Sequence, residues 1–123
     1  MKVNDNLNGI LLEELSALTN LESLYLSKNR LYGTIPESFG NKLLRLRELT
    51  LNNNELAGSI PLSLNQLRRL EFLFLNTNQL TGTIPDYLFQ GIELPDLEDI
   101  YLHENLLTGT IPEFGSPPGL SSY

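Results

Sequence analysis

The chain has 123 residues, room for one domain but not comfortably two, and 41% of them are hydrophobic, which excludes a fully disordered chain. It contains no cysteine, so a disulfide framework, a thiolate metal site and a cysteine nucleophile are all excluded and stability must come from packing. The formal net charge of -7 argues against a general nucleic-acid binder, which needs a basic stripe facing phosphates.

The charge is unevenly placed. Residues 1–70 hold all 8 basic and 7 acidic residues, whereas residues 71–123 hold 8 acidic residues and no basic one, so the carboxy-terminal half is the acidic end. At the amino terminus, Met1-Lys2-Val3-Asn4-Asp5-Asn6 turns polar at once and lacks the apolar stretch of a secretory signal. The longest apolar run, Phe72-Leu73-Phe74-Leu75, falls far short of the roughly 20 residues a membrane helix needs, so no membrane contact is expected of this segment itself.

A repeat organises the rest. Leu21 to Pro36, Leu46 to Pro61, Leu70 to Pro85 and Leu97 to Pro112 share one frame, with asparagine at 29, 54, 78 and 105, glycine at 33, 58, 82 and 109, and proline at 36, 61, 85 and 112. A fainter copy precedes them: Leu7, Gly9 and Leu11 align with Leu31, Gly33 and Ile35, with Asp5 in the asparagine slot and Leu12 in the proline slot. That copy has lost most of its first strand. The expected division is a degenerate repeat at 1–20, repeats at 21–45, 46–69, 70–96 and 97–114, and a Pro/Gly/Ser-rich tail at 115–123.

Each recurring slot has a physical reason. Leu24 and Leu26, and their equivalents, alternate with polar or aromatic neighbours at period two, as in a short strand with one buried face. Asn29, Asn54, Asn78 and Asn105 follow the strands at one offset, where stacked buried amides can bond the turns of their own and adjacent coils as an asparagine ladder. Glycine permits a turn that a side chain obstructs, and the following Ile-Pro is extended, giving a second short strand on the flank. After each proline, apolar residues three or four apart predict a short or 3₁₀ helix on the convex side.

Written as LxxLxLxxNxLxGxIPxxL, this frame resembles the plant-specific class of leucine-rich repeat, found in receptor-like kinase ectodomains and polygalacturonase inhibitors. The resemblance covers residues 5 to about 115. It implies an α/β solenoid, a right-handed superhelix with short parallel concave strands, flanking Ile-Pro strands and short or 3₁₀ helices on the convex side. Members of this kind normally close the core with capping segments, often cysteine-paired. None is visible here, so the stack is expected to be open at both ends and the sequence to be a fragment or a truncated gene model.

Two insertions interrupt the frame. One residue, near Gly40 to Lys42, separates Phe39 from Leu43 and is expected to form a convex bulge. Three residues fall between Leu88 and Leu94, where Pro95 is expected to end the helix.

Function must be read from a surface. Between the core leucines, four columns face the concave side: Ser23, Glu48, Phe72, Asp99; Tyr25, Thr50, Phe74, Tyr101; Ser27, Asn52, Asn76, His103; and Lys28, Asn53, Thr77, Glu104. Tyr25, Phe72, Phe74 and Tyr101 are aromatic, the kind of residue that anchors interfaces, although cross-strand stacking to stiffen the sheet accounts for them equally well. Asp99, His103 and Glu104 add polar groups suited to a basic partner or a weak pH response. The candidate binding residues are therefore Tyr25, Phe72, Phe74, Asp99, Tyr101 and His103.

No catalytic residue, metal site or cofactor is assigned. Asp99 and His103 lie four apart on a strand, about 13 Å, too far for a carboxylate to orient the imidazole. No phosphate loop or HExxH motif occurs, and there is no Asn-x-Ser/Thr sequon. The expected function is a non-catalytic module that binds a protein or peptide ligand on its concave strands. The alternative is a section of a larger receptor-like kinase ectodomain, which would be membrane-anchored or extracellular.

Overall fold

The computed structural model describes residues 1, 8–10 and 13–111. Leu7, Leu11, Leu12, Asp5, Pro112 and the tail at 115–123 lie outside the described residues. The elements are β1 (Asn8–Ile10), a 3₁₀ turn at Glu13–Ala17, β2 (Ser23–Tyr25), β3 (Arg30–Gly33), α1 (Glu37–Lys42), β4 (Glu48–Thr50) and β5 (Glu55–Gly58). A 3₁₀ turn at Leu62–Gln66, β6 (Phe72–Phe74), β7 (Gln79–Leu80), a 3₁₀ turn at Asp86–Leu88 and β8 (Asp99–Tyr101) follow.

The chain winds as a solenoid with two four-stranded parallel sheets, one in the order β2-β4-β6-β8 and the other β1-β3-β5-β7. Parallel pairing follows from the winding, because every coil returns in the same direction by a crossover on its far side. In the first sheet, equivalent residues pair directly: Leu24 with Leu49, Leu49 with Leu73, and Leu73 with Ile100. The second sheet is offset, since Gly33 faces Leu56, Gly58 faces Leu80 and, at the amino-terminal end, Gly9 faces Leu31. Beside β2, among the described residues, only Met1 continues the first sheet: its amino group donates to Ser23 O, and Tyr25 N–H donates to Met1 O.

Leucines from all sides of each coil meet in one core. In the second coil, Leu24, Leu26, Leu31, Ile35, Phe39 and Leu43 are all buried, and the same slots are buried in the next two coils except at Ile84, which is half-buried against the core. The flanking strands run through the residues before each Ile-Pro and end at or before the glycine. Pro36, at φ -65° and ψ 136°, then carries the extended path into the convex layer.

Gly58 shows why its slot excludes side chains. Its φ is +77°, and a Cβ there would stand 2.8 Å from Thr34 Cγ2 of the preceding coil.

On the convex side, spacing selects helix type. Leu64 and Leu67 are three apart and Leu67 N–H donates to Leu64 O, a 3₁₀ bond, whereas Phe39 and Leu43 are four apart and Leu43 N–H donates to Phe39 O, an α bond. The extra residue near Gly40 to Lys42 is therefore not a bulge: it converts the 3₁₀ turn into α1 and keeps both apolar anchors buried. The second insertion does form a loop, with Gly91 at φ +67°, but the helix before it already ends at Leu88 and not at Pro95.

Candidate ligand-binding face

Each strand of the first sheet is three residues long and turns its middle residue into the core, so the residues on either side point away from it. Pairing places Ser23, Glu48, Phe72 and Asp99 in one row and Tyr25, Thr50, Phe74 and Tyr101 in the next. The amides of Leu26, Leu51 and Leu75 then donate to the carbonyls of Thr50, Phe74 and Tyr101, carrying the sheet's bonding on toward Ser27, Asn52, Asn76 and His103.

Lys28, Asn53, Thr77 and Glu104 do not extend that face. All four are left-handed, with φ of 58°, 59°, 59° and 57°, because the chain must turn sharply there to bring the next asparagine inward. This corrects the expectation of a fourth strand column. For the β-branched Thr77 the conformation costs about 1–2 kcal/mol, and its hydroxyl donates to Glu104 Oε2 at 3.0 Å.

At the corner that follows, Asn54 Nδ2 donates to Leu26 O of the preceding coil and Leu51 O of its own, both at 3.0 Å, while its Oδ1 accepts from Leu31 N at 3.1 Å. Asn78 and Asn105 repeat this pattern, accepting from Leu56 N and Leu80 N respectively. Asn29 Nδ2 donates to Leu26 O at 3.0 Å. Each amide thus serves backbone groups that no sheet partner reaches. Asn29 and Asn54 are buried, while Asn78 and Asn105 are half-buried.

The aromatic residues do not form one continuous stack. Phe74 and Tyr101 are parallel, with ring centroids 4.3 Å apart and an interplanar angle of 11°. Phe72 meets Phe74 edge to face at 6.4 Å, and the His103 ring is tilted against Tyr101 at 6.0 Å. Tyr25 stands apart, because Thr50 occupies the strand between it and Phe74. All four rings are half-buried.

Sequence reading passed over two groups on this face. Thr50 is only 9% exposed, and its Oγ1 is buried without a hydrogen-bond partner, as is Asn76 Oδ1. The visible signal was a single hydroxyl in a column of rings. Also passed over was a charged row at the start of the strands, where Arg47 reaches Glu71 at 2.5 Å and Glu22 at 3.9 Å. The hydrogen bond to Glu71 and its charge, with Glu22 and Asp96 beyond, hold the Arg47 guanidinium above its ordinary range.

Among the described residues no three His, Asp or Glu side chains converge to hold a metal ion, and no helix is long and apolar enough to cross a membrane.

Stacked coils joined by asparagine amides, with leucines turned inward on every side, define a leucine-rich-repeat solenoid. A family model described as Leucine rich repeat matches residues 19–80, half of the chain, and the chain belongs to that family. Phytosulfokine receptor 1 of Arabidopsis thaliana is 42% identical over 62 residues, covering 50% of this chain and 6% of the receptor.

The solved structure of the plant peptide hormone receptor RGFR1 in complex with RGF2 superimposes with a TM-score of 0.81 at 38% identity, over 87% of this chain and 16% of that one. A plant ice-binding protein does so with a TM-score of 0.82 at 35% identity, over 91% and 35%. The chain thus spans a small part of each relative's length, and its likeness to proteins of such different roles means that function must be argued from the face itself.

Proposed function

We propose that the chain is a non-catalytic recognition module that binds an extended peptide or protein segment across its concave strands, as one section of a longer receptor-like ectodomain. The observation that carries this reading is the contiguous, half-exposed cluster of Phe72, Phe74 and Tyr101 on neighbouring strands, with Tyr25 beyond the Thr50 gap. Rings of this kind supply apolar contact area at low conformational cost and anchor interfaces. The likeness to peptide hormone receptors supports the same choice. Binding is favoured over catalysis because the face spreads rings, amides and hydroxyls over four strands and does not enclose converging titratable groups.

Four strands at about 4.8 Å spacing make a face only some 15–20 Å wide, small for a standard protein interface. A short segment of a ligand fits it better than a broad surface. Selecting random peptides against the chain by phage display, then titrating the recovered peptides calorimetrically, tests the reading. Replacing Tyr25, Phe74 and Tyr101 together by serine is expected to leave the circular dichroism spectrum unchanged and to weaken binding at least tenfold. Equal affinity for the triple variant overturns the assignment.

A further inference from the structure

The row Tyr25, Thr50, Phe74, Tyr101 lacks one ring. Adjacent strands lie about 4.8 Å apart, so Tyr25 and Phe74, two strands apart, are separated by roughly 9.6 Å. That gap accommodates one planar group stacked on both sides, at about the spacing by which Phe74 already stacks on Tyr101, 4.3 Å. The space is an open cleft of about 420 Å3 lined by Tyr25, Ser27, Thr50, Asn52 and Phe74.

The cleft is floored by an unpaired hydroxyl, which can accept as well as donate. Thr50 Oγ1 is buried and unpaired, and one strand further on Asn76 Oδ1, which can only accept, is unpaired as well. Glu48 lies two residues before Thr50 on the same face of the strand, its carboxylate accepting from Ser23 Oγ at 3.5 Å. The concave rows carry no cation within the strands: Lys28 lies at the turn after Ser27, and Arg47, just before β4, is held by Glu71 and Glu22. A neutral ring would satisfy the stacking alone, and an ammonium the charge and the hydrogen bond but not the stacking. A guanidinium is planar, cationic and rich in donors, with no acceptor to leave unpaired.

Resting on the reading of this face as a peptide site, we propose that the gap between Tyr25 and Phe74 is a slot for an arginine side chain of the ligand. Its guanidinium lies between the two rings, donates to Thr50 Oγ1 and is balanced by the Glu48 carboxylate.

The test titrates the isotope-labelled full chain, followed by amide chemical shifts, with blocked glycine peptides carrying a central arginine, lysine, tyrosine or citrulline. The arginine peptide is expected to shift the amides of Tyr25, Thr50 and Phe74 and to bind at least tenfold more tightly than the others. Thr50→Phe supplies the missing ring, so it is expected to fold, keep its melting temperature and abolish those shifts. Thr50→Val, which removes only the hydroxyl, is expected to weaken arginine binding severalfold.

An arginine peptide that moves no amide of the slot, equal or better binding of lysine, tyrosine or citrulline, or shifts that survive in Thr50→Phe, each overturn the slot. Should display-selected peptides lose affinity in the triple serine variant but not in Thr50→Phe, the peptide-binding reading stands and the arginine slot falls. Should they lose it in neither, both fall.

Discussion

On the concave side, β2, β4, β6 and β8 keep one register, although the intervals between equivalent asparagines differ from repeat to repeat. On the convex side successive coils differ: α1 gives way to the 3₁₀ turn at Leu62–Gln66, and that to the shorter turn and loop after Asp86. The sheet is constrained by hydrogen bonds to both neighbouring coils, where a slip of one residue would turn leucines outward. The convex layer must only return the chain with its apolar anchors inward, which turns of different length achieve. Variation in repeat length therefore collects where backbone pairing is absent, and the binding rows keep their order.

The largest effect is expected where the convex side is least tolerant. Gly40 lies in α1, where alanine would ordinarily be favoured, but a Cβ there would come within 2.2 Å of the Ser63 carbonyl of the next coil. Gly40→Ala is expected to destabilise by about 2–3 kcal/mol through overpacking, against helix propensity. Urea denaturation checks it, and an increase in stability would show that the coils move apart freely.

On the concave corner, Asn54→Ala leaves Leu31 N–H without its acceptor and removes one of the two amide donors on Leu26 O and on Leu51 O, which keep those of Asn29 and Asn78, at a cost of about 1–3 kcal/mol. Asn105→Ala, at a half-buried site that water can enter, is expected to cost less, under about 1 kcal/mol. Equal melting temperatures for the two variants would refute that graded picture of the ladder.

A modest effect is expected at Tyr87, whose buried hydroxyl donates to Pro61 O at 2.6 Å. Burial, then the charges of Glu37 and Glu93, push its pKa above the ordinary value of 10.0. Because the folded pKa is the higher one, the contribution is complete below about pH 10 and is lost as pH rises beyond it. Tyr87→Phe is expected to cost about 1 kcal/mol at neutral pH and to flatten the alkaline decline of the melting temperature.

The repeat was legible because each slot answers to a local rule. Leucine alternation gives strands, Leu-x-Gly-x-Ile-Pro gives the flank, and Phe39 and Leu64 anchor the convex turns to the core. The fourth column was misread because period-two alternation does not reveal where a strand ends. Lys28, Asn53, Thr77 and Glu104 have no composition in common, and the left-handed turn is imposed on them by the asparagine that follows. The convex insertion was placed correctly but given the wrong shape, since a choice between bulge and α turn depends on keeping Leu43 against the neighbouring coil.

By itself the sequence determined the solenoid, its inward leucines, its asparagine corners and the order of side chains along the concave rows, because these follow from a period repeated in phase. Only the tertiary structure decided which rings touch, that Thr50 lies buried between Tyr25 and Phe74, and that its hydroxyl has no partner. Those properties arise between coils, where side chains distant in sequence meet, and no single repeat contains them.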